Sequence, residues 1–136
     1  NLKHIQISKR FNSCLFGKIA IDKNGYIKSC LSIDEKFGNI KSNKIANILS
    51  NKNYIGKFSI KKSDINTCKD CEFRDICTDC RAFTRSDNIF GKPKACSYNP
   101  YINKWLGEEG FYDEDVLTQN EINAIINNNS FELSSY

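Results

Sequence analysis

Cysteine spacing constrains this chain more than any other feature. The stretch Cys68-Lys69-Asp70-Cys71-Glu72-Phe73-Arg74-Asp75-Ile76-Cys77-Thr78-Asp79-Cys80 reads C-x2-C-x5-C-x2-C and holds four of the 7 cysteines. Each C-x2-C can present two thiolates to one metal centre, a spacing that isolated core cysteines have no reason to adopt. Disulfides are the competing use of clustered cysteines. They belong to small secreted scaffolds, and no signal-peptide pattern opens the chain. Seven is also odd, so one thiol is left over from any complete set of disulfides. Metal ligation is the expected use.

The metal is harder to read from spacing. Zinc ribbons separate their two knuckles by roughly 12–20 residues, whereas five intervene here. Tight runs of this kind also occur in two-cluster ferredoxins, in which the last cysteine of a run ligates the other cluster. Adding Cys14, Cys30 and Cys96 gives seven thiolates, enough for one four-ligand site and one three-ligand site. That arithmetic suits two iron–sulfur clusters better than one structural zinc, with two zinc ions as the alternative.

At 136 residues the chain is expected to be one domain with an element appended at its C-terminus. With 40% apolar residues its core is modest, so metal stapling would matter for folding. The net charge of +4 is spread without a basic run, which argues against nucleic acid as a partner. No segment approaches the ~18 apolar residues of a membrane span. Thiol-rich metal spacing points to a reducing, cytoplasmic location. A start at Asn1 rather than Met is what a piece of a longer protein would show.

Residues 1–13 read as a short strand or a linker end around Leu2, Ile5 and Ile7. His4, the single histidine, reads as a surface or half-buried side chain rather than a ligand. A β-hairpin follows, with Lys18–Lys23 and Tyr26–Cys30 flanking Asn24-Gly25. A two-residue turn there pairs Lys23 with Tyr26 and Ile19 with Cys30. Cys14 would then lie roughly 16 Å away along an unbroken strand, too far to share a site with Cys30, unless the chain bends back at Gly17. Ser42 to Asn51 reads as a helix capped by Ser42, with Ile45, Ile48 and Leu49 in the core. Residues 52–67 read as a connector carrying Tyr54, Phe58 and Ile60. Arg81–Arg85 is expected to be irregular, Gly91-Lys92-Pro93 a turn, and Ser97–Tyr101 a second turn. Its tyrosines and Trp105 are expected to form a satellite core at the metal site. Thr118-Gln119-Asn120-Glu121 fits a capping box for a short amphipathic helix bearing Ile122, Ile125 and Ile126, up to about Asn128. The expected class is small α+β: a metal-stapled body with an N-terminal β-hairpin, short helices and long irregular loops.

Taken together, Cys14, ten residues, Gly25, four residues, Cys30, then the central run and the distant Cys96 resemble the seven-cysteine SPASM domain of radical S-adenosylmethionine enzymes that mature ribosomally made peptides. Phe37-Gly38-Asn39-Ile40, Cys71-Glu72-Phe73-Arg74, Asp79-Cys80-Arg81-Ala82 and Tyr98-Asn99-Pro100-Tyr101 are similar to the SPASM protein of grasp-with-spasm cassettes. The resemblance covers about residues 14–105. It implies three parts: an N-terminal segment or linker (1–13), an auxiliary-cluster domain (14–105) and a C-terminal extension (106–136).

The resemblance further implies two four-iron (4Fe-4S) clusters, the first held by Cys14, Cys30 and Cys80 and the second by Cys68, Cys71, Cys77 and Cys96. The chain departs from the family at two places. Two residues rather than three precede the fourth cysteine of the run, and no cysteine upstream of Cys14 supplies an eighth ligand. The first cluster is then open at one iron or closed by another group, with His4 a remote candidate. The implied partners are a precursor peptide as substrate, a radical S-adenosylmethionine core domain, an ATP-grasp ligase and a small redox protein as electron donor. The C-x3-C-x2-C triad that cleaves S-adenosylmethionine is missing from these residues, so the chain reads as the C-terminal part of such a maturase. Two other classes compete: a zinc-binding interaction module without redox activity, and a stand-alone ferredoxin-like carrier. Colour under anaerobic handling separates iron–sulfur from zinc, although zinc is expected to replace iron lost in air. Arg74 and Arg81 stand where they could tune a cluster's field or make surface salt bridges.

Overall fold

A three-stranded meander organises the N-terminal half. Strand β1 (Ala20–Ile21) pairs antiparallel with β2 (Tyr26–Lys28), and β2 pairs with β3 (Gly38–Asn39). The computed structural model describes the backbone of residues 2–86 and 88–133 and the side chains of 2–86 and 88–128. Asn1 and residues 134–136 of the expected terminal segments lie outside the described residues.

The hairpin forms where expected, one residue out of the expected register. Ala20 faces Lys28 and Ile21 faces Ile27, so Asp22, not Lys23, closes the turn opposite Tyr26. The cause is the Asp22 carboxylate, which accepts from the Asn24 N–H at 2.9 Å and the Tyr26 N–H at 3.0 Å. Those bonds favour a three-residue loop, and only Gly25 takes a left-handed conformation (φ +83°), the usual form of such a loop. The pairing of Ile19 with Cys30 therefore does not occur.

Behind β2 lies the core cluster of Ile27, Ile48 and Tyr54, flanked by Phe37 and Phe58. Tyr54 meets Phe37 and Phe58 edge-on, at 5.2 and 5.7 Å between ring centroids, and its hydroxyl donates to the Lys18 carbonyl. Two helices carry these side chains. Helix α2 (Ile45–Leu49) is shorter than expected: Lys44 precedes it without a side-chain cap, and Ser42 instead donates to the Asn39 carbonyl. Ile48 is buried, but Ile45 and Leu49 are 43% and 50% exposed, so the expected core stripe reduces to one residue. The supposed connector contains helix α3 (Lys52–Ser59), capped by Asn51, whose side chain accepts from the Asn53 and Tyr54 amides.

Residues 2–8 also differ from expectation. They form helix α1 (Leu2–Ser8) rather than a strand, and the chain continues into a stacked Phe11–Phe16 pair packed edge-on against Phe58. Further on, Tyr98–Asn99 and Lys104–Trp105 form a second sheet, β4 and β5, where a plain turn was expected. The capping box at Thr118 is present: the Glu121 N–H donates to the Thr118 hydroxyl, and the Glu121 carboxylate accepts from the Thr118 N–H. Helix α4 (Gln119–Leu133) runs past the expected end, and its first turns, through Gln119 and Ile122, line a cleft with Thr67, Asp70 and Tyr101. Among the described residues, no helix is long and apolar enough to cross a membrane.

Candidate metal centre

All seven cysteines are free thiols, none of them in a disulfide. Five of them line two clefts. The first is at the bend that leads into β1. Asn12 accepts through its Oδ1 from the Cys14 N–H at 3.0 Å and the Leu15 N–H at 2.9 Å, closing a tight turn. Gly17 then takes a left-handed conformation (φ +70°), at the position where the sequence allowed the chain to bend back. Cys14 and Cys30 consequently line one cleft of about 270 Å³ with Leu15, Lys18, Ser29 and Leu31. Cys80, in the central run, does not line this cleft, though its charge reaches Cys14. Burial pushes the Cys14 thiol up, Lys18 pulls it down, and the nearby Cys80 and Cys30 push it up further.

The second place is an apolar cleft of about 280 Å³ lined by Cys71, Cys77, Cys96, Phe73, Ile76, Tyr98 and Trp105. Tyr98 packs against Phe73 and Trp105 at 5.1 and 4.8 Å, so the expected satellite core stands at this site, although Trp105 is itself half-exposed. The Tyr98 hydroxyl donates to Glu72, and burial with that carboxylate holds the phenol proton on well above its usual range. Cys68, 5% exposed, opens a single 3-10 turn (Cys68–Asp70), and the Cys71 N–H donates back to its carbonyl. Burial pushes the Cys68 thiol up, Lys62 pulls it down, and Asp79 and Cys96 push it up further. Cys71 is pushed up to about 11 by burial; the Phe73 N–H works against the shift, and Glu72, Cys68 and Cys96 add to it.

These shifts fix a pH dependence. Cys14, Cys68 and Cys71 keep their protons higher in the folded chain than in the unfolded one. Their contribution to stability is then complete below the unfolded value near 9 and lost as pH rises through the folded values. The metal-free protein is expected to lose thermal stability between about pH 9 and 11, followed by circular dichroism. A melting temperature flat across that window would show that the folded thiols are not held as described.

Between the two places lies a buried ionic network. The Asp79 side chain is 1% exposed and accepts from Asn12 Nδ2 at 2.6 Å and Arg81 Nη2 at 2.7 Å; Arg81 Nε stands 2.6 Å from it. Lys62, buried as well, stands 3.5 Å from Asp79 Oδ1 and 3.7 Å from Cys68 Sγ. Burial alone would strip the Lys62 proton, but the charges of Cys68, Asp79 and Cys77 outweigh it and raise its pKa. The Arg81 side chain is 3% exposed and also donates to the Ile89 and Gly91 carbonyls, so it is no surface salt bridge. Arg74 is exposed and donates to the Lys69 carbonyl. Sequence reasoning missed Asn12 and Lys62 altogether. The only signal for them was that Asp79, flanked by Thr78 and Cys80, would need partners once buried.

A second buried pair fixes the Cys96 loop. Lys92 pairs with Glu114 and donates to the Tyr98 carbonyl, while Arg85 bonds Asp113 at 2.8 Å and the Cys96 carbonyl at 2.6 Å. His4 sits half-buried on α1 with its Nε2 lacking a hydrogen-bond partner. Among the described residues, no three His, Cys, Asp or Glu side chains converge tightly enough to enclose a single metal ion.

The donor set fits an iron–sulfur group: seven free thiols, five of them lining two clefts, with an ammonium donor beside Cys68 and an amide donor beside Cys71. No curated protein and no solved structure matches the chain. A protein-family model does match, over residues 13–72, a little under half of the chain, and it therefore takes in Cys14, Cys30, Cys68 and Cys71. Over that stretch the chain is similar to the SPASM domain, an iron–sulfur cluster-binding domain.

Proposed function

We propose that this chain is the auxiliary-cluster part of a radical S-adenosylmethionine maturase that modifies a ribosomally made peptide in the cytoplasm. What supports this reading is seven free thiols, with Cys14 and Cys30 lining one cleft, Cys71, Cys77 and Cys96 another, and buried Asp79 in the run between Cys77 and Cys80. Cys14, Cys30 and Cys80 hold one four-iron cluster, and Cys68, Cys71, Cys77 and Cys96 hold the other. Bound there, the clusters supply one-electron transfer. The residues around them position the thiols, exclude water from the apolar side and leave the Phe73–Trp105 face open toward the peptide. The count of seven thiols supports two polynuclear groups over one structural zinc, whose four ligands would leave three thiols unused. The core domain, ATP-grasp ligase and reductant of such a system are the partners this reading requires.

The test is anaerobic reconstitution of the chain with iron and sulfide. About eight irons and eight sulfides per chain are expected, with a brown colour. About four irons would show that the set of Cys14, Cys30 and Cys80 is not assembled by these residues. A colourless protein that takes zinc and refuses iron would overturn the reading. Lacking the C-x3-C-x2-C triad, the loaded chain should release no 5′-deoxyadenosine from S-adenosylmethionine.

A further inference from the structure

The buried lysine in the ionic network points its charge at a thiol, not only at its counter-ion. Lys62 carries an ammonium 6% exposed, 3.7 Å from Cys68 Sγ and 3.5 Å from Asp79 Oδ1. Neither distance is that of a tight ion pair. Arg81 donates from Nη2 to Asp79 at 2.7 Å, with its Nε 2.6 Å from the other oxygen. Asn12 donates to the same carboxylate at 2.6 Å. Lys62 is shared between Asp79 and Cys68, and it is the cation of the network that donates to a thiol. Asn12 both bonds Asp79 and closes the turn of Cys14, and the carboxylate bears on Cys68 as well as on Cys14.

Resting on the reading above, the geometry points to Lys62 as a positioning residue for the Cys68 site, where its hydrogen bond and charge raise that site's reduction potential. The physical reason is general: a cation or N–H donor at a ligating sulfur favours the more negative, reduced form of a cluster. Lys62 thereby favours the reduced form at the Cys68 site while ligating nothing.

The test compares Lys62→Met and Lys62→Arg with the wild-type chain after anaerobic reconstitution, by iron and sulfide analysis and by potentiometric titration followed by electron paramagnetic resonance. If the wild-type chain itself binds no iron, the proposed function fails, and the role of Lys62 does not arise. With the wild type loaded, Lys62→Met at full iron content should move one couple to lower potential and leave the other near its wild-type value, changing the gap between them. Lys62→Arg should restore most of the gap. Full loading of Lys62→Met with neither couple moved, or with both moved equally, would overturn the inference. Where Lys62→Met fails to load, Lys62→Arg decides: loading with a near-wild-type gap upholds a charge at Cys68. Failure of both variants to load would reduce Lys62 to a packing partner of Asp79 and overturn it as well.

Discussion

Asp79→Ala is expected to destabilise the protein by about 3–5 kcal/mol, the cost of breaking a buried ion pair by removing one partner. The carboxylate is 1% exposed, and the truncation leaves Arg81 at 3% and Lys62 at 6% exposure with no counter-charge between them. It also frees Asn12 Nδ2, which otherwise ties the turn of Cys14 to the central run at 2.6 Å. A loss of this size is a large share of the 5–15 kcal/mol that a typical domain has in total. Urea unfolding of the loaded chain, wild type against variant, reads it directly. A loss below about 1 kcal/mol would place the network in the class of surface pairs and contradict its burial. Exposed Asp34→Ala serves as the comparison that should change little.

The second large effect concerns which thiols act together. Cys77 and Cys80 are two residues apart, and a simple knuckle would put both on one metal. In the fold they part company: Cys77 lines the cleft of Cys71 and Cys96, while Cys80 stands close enough to Cys14 to raise its pKa. The side chain that turns inward between them is Asp79. Cys80→Ala is therefore expected to strip iron from the hairpin site and spare most of the rest, a loss of up to about four irons per chain. Cys96→Ala and Cys77→Ala should do the reverse. Iron analysis with Mössbauer spectra of the three variants separates the cases. Depletion of the same cluster by Cys77→Ala and Cys80→Ala would return the pair to one knuckle.

Much of this was legible because cysteine spacing and turn chemistry are local signals. The hairpin position followed from Asn24-Gly25, and the need for a bend at Gly17 followed from the distance between Cys14 and Cys30. The register was misread because a side chain intervened: the Asp22 carboxylate captures two amides and lengthens the loop by one residue. Helix α3 was hidden by its weak apolar content, yet Asn51 as cap and Tyr54 with Phe58 four residues on were signals at hand. The exposure of Ile45 and Leu49 had no local signature, since a stripe shows periodicity and not what covers it. Burial of Asp79, Arg81 and Lys62 was out of reach for the same reason. Each partner comes from a different part of the chain, and only the fold brings them together.

The buried pairing of Lys92 with Glu114 sets the smallest piece of this protein that could be inherited or transplanted as a unit. Lys92 belongs to the loop that delivers Cys96, and its counter-charge comes from Glu114, 22 residues further along the chain. Arg85, which holds the Cys96 carbonyl, likewise reaches forward to Asp113. A recombination breakpoint between Cys96 and Asp113 would carry two interior cations into the new host without their anions. It would deliver all seven cysteines and still lose the grip on the last of them. Exchange between related genes should therefore be tolerated only when the crossover falls beyond Glu114, so that lock and key travel together.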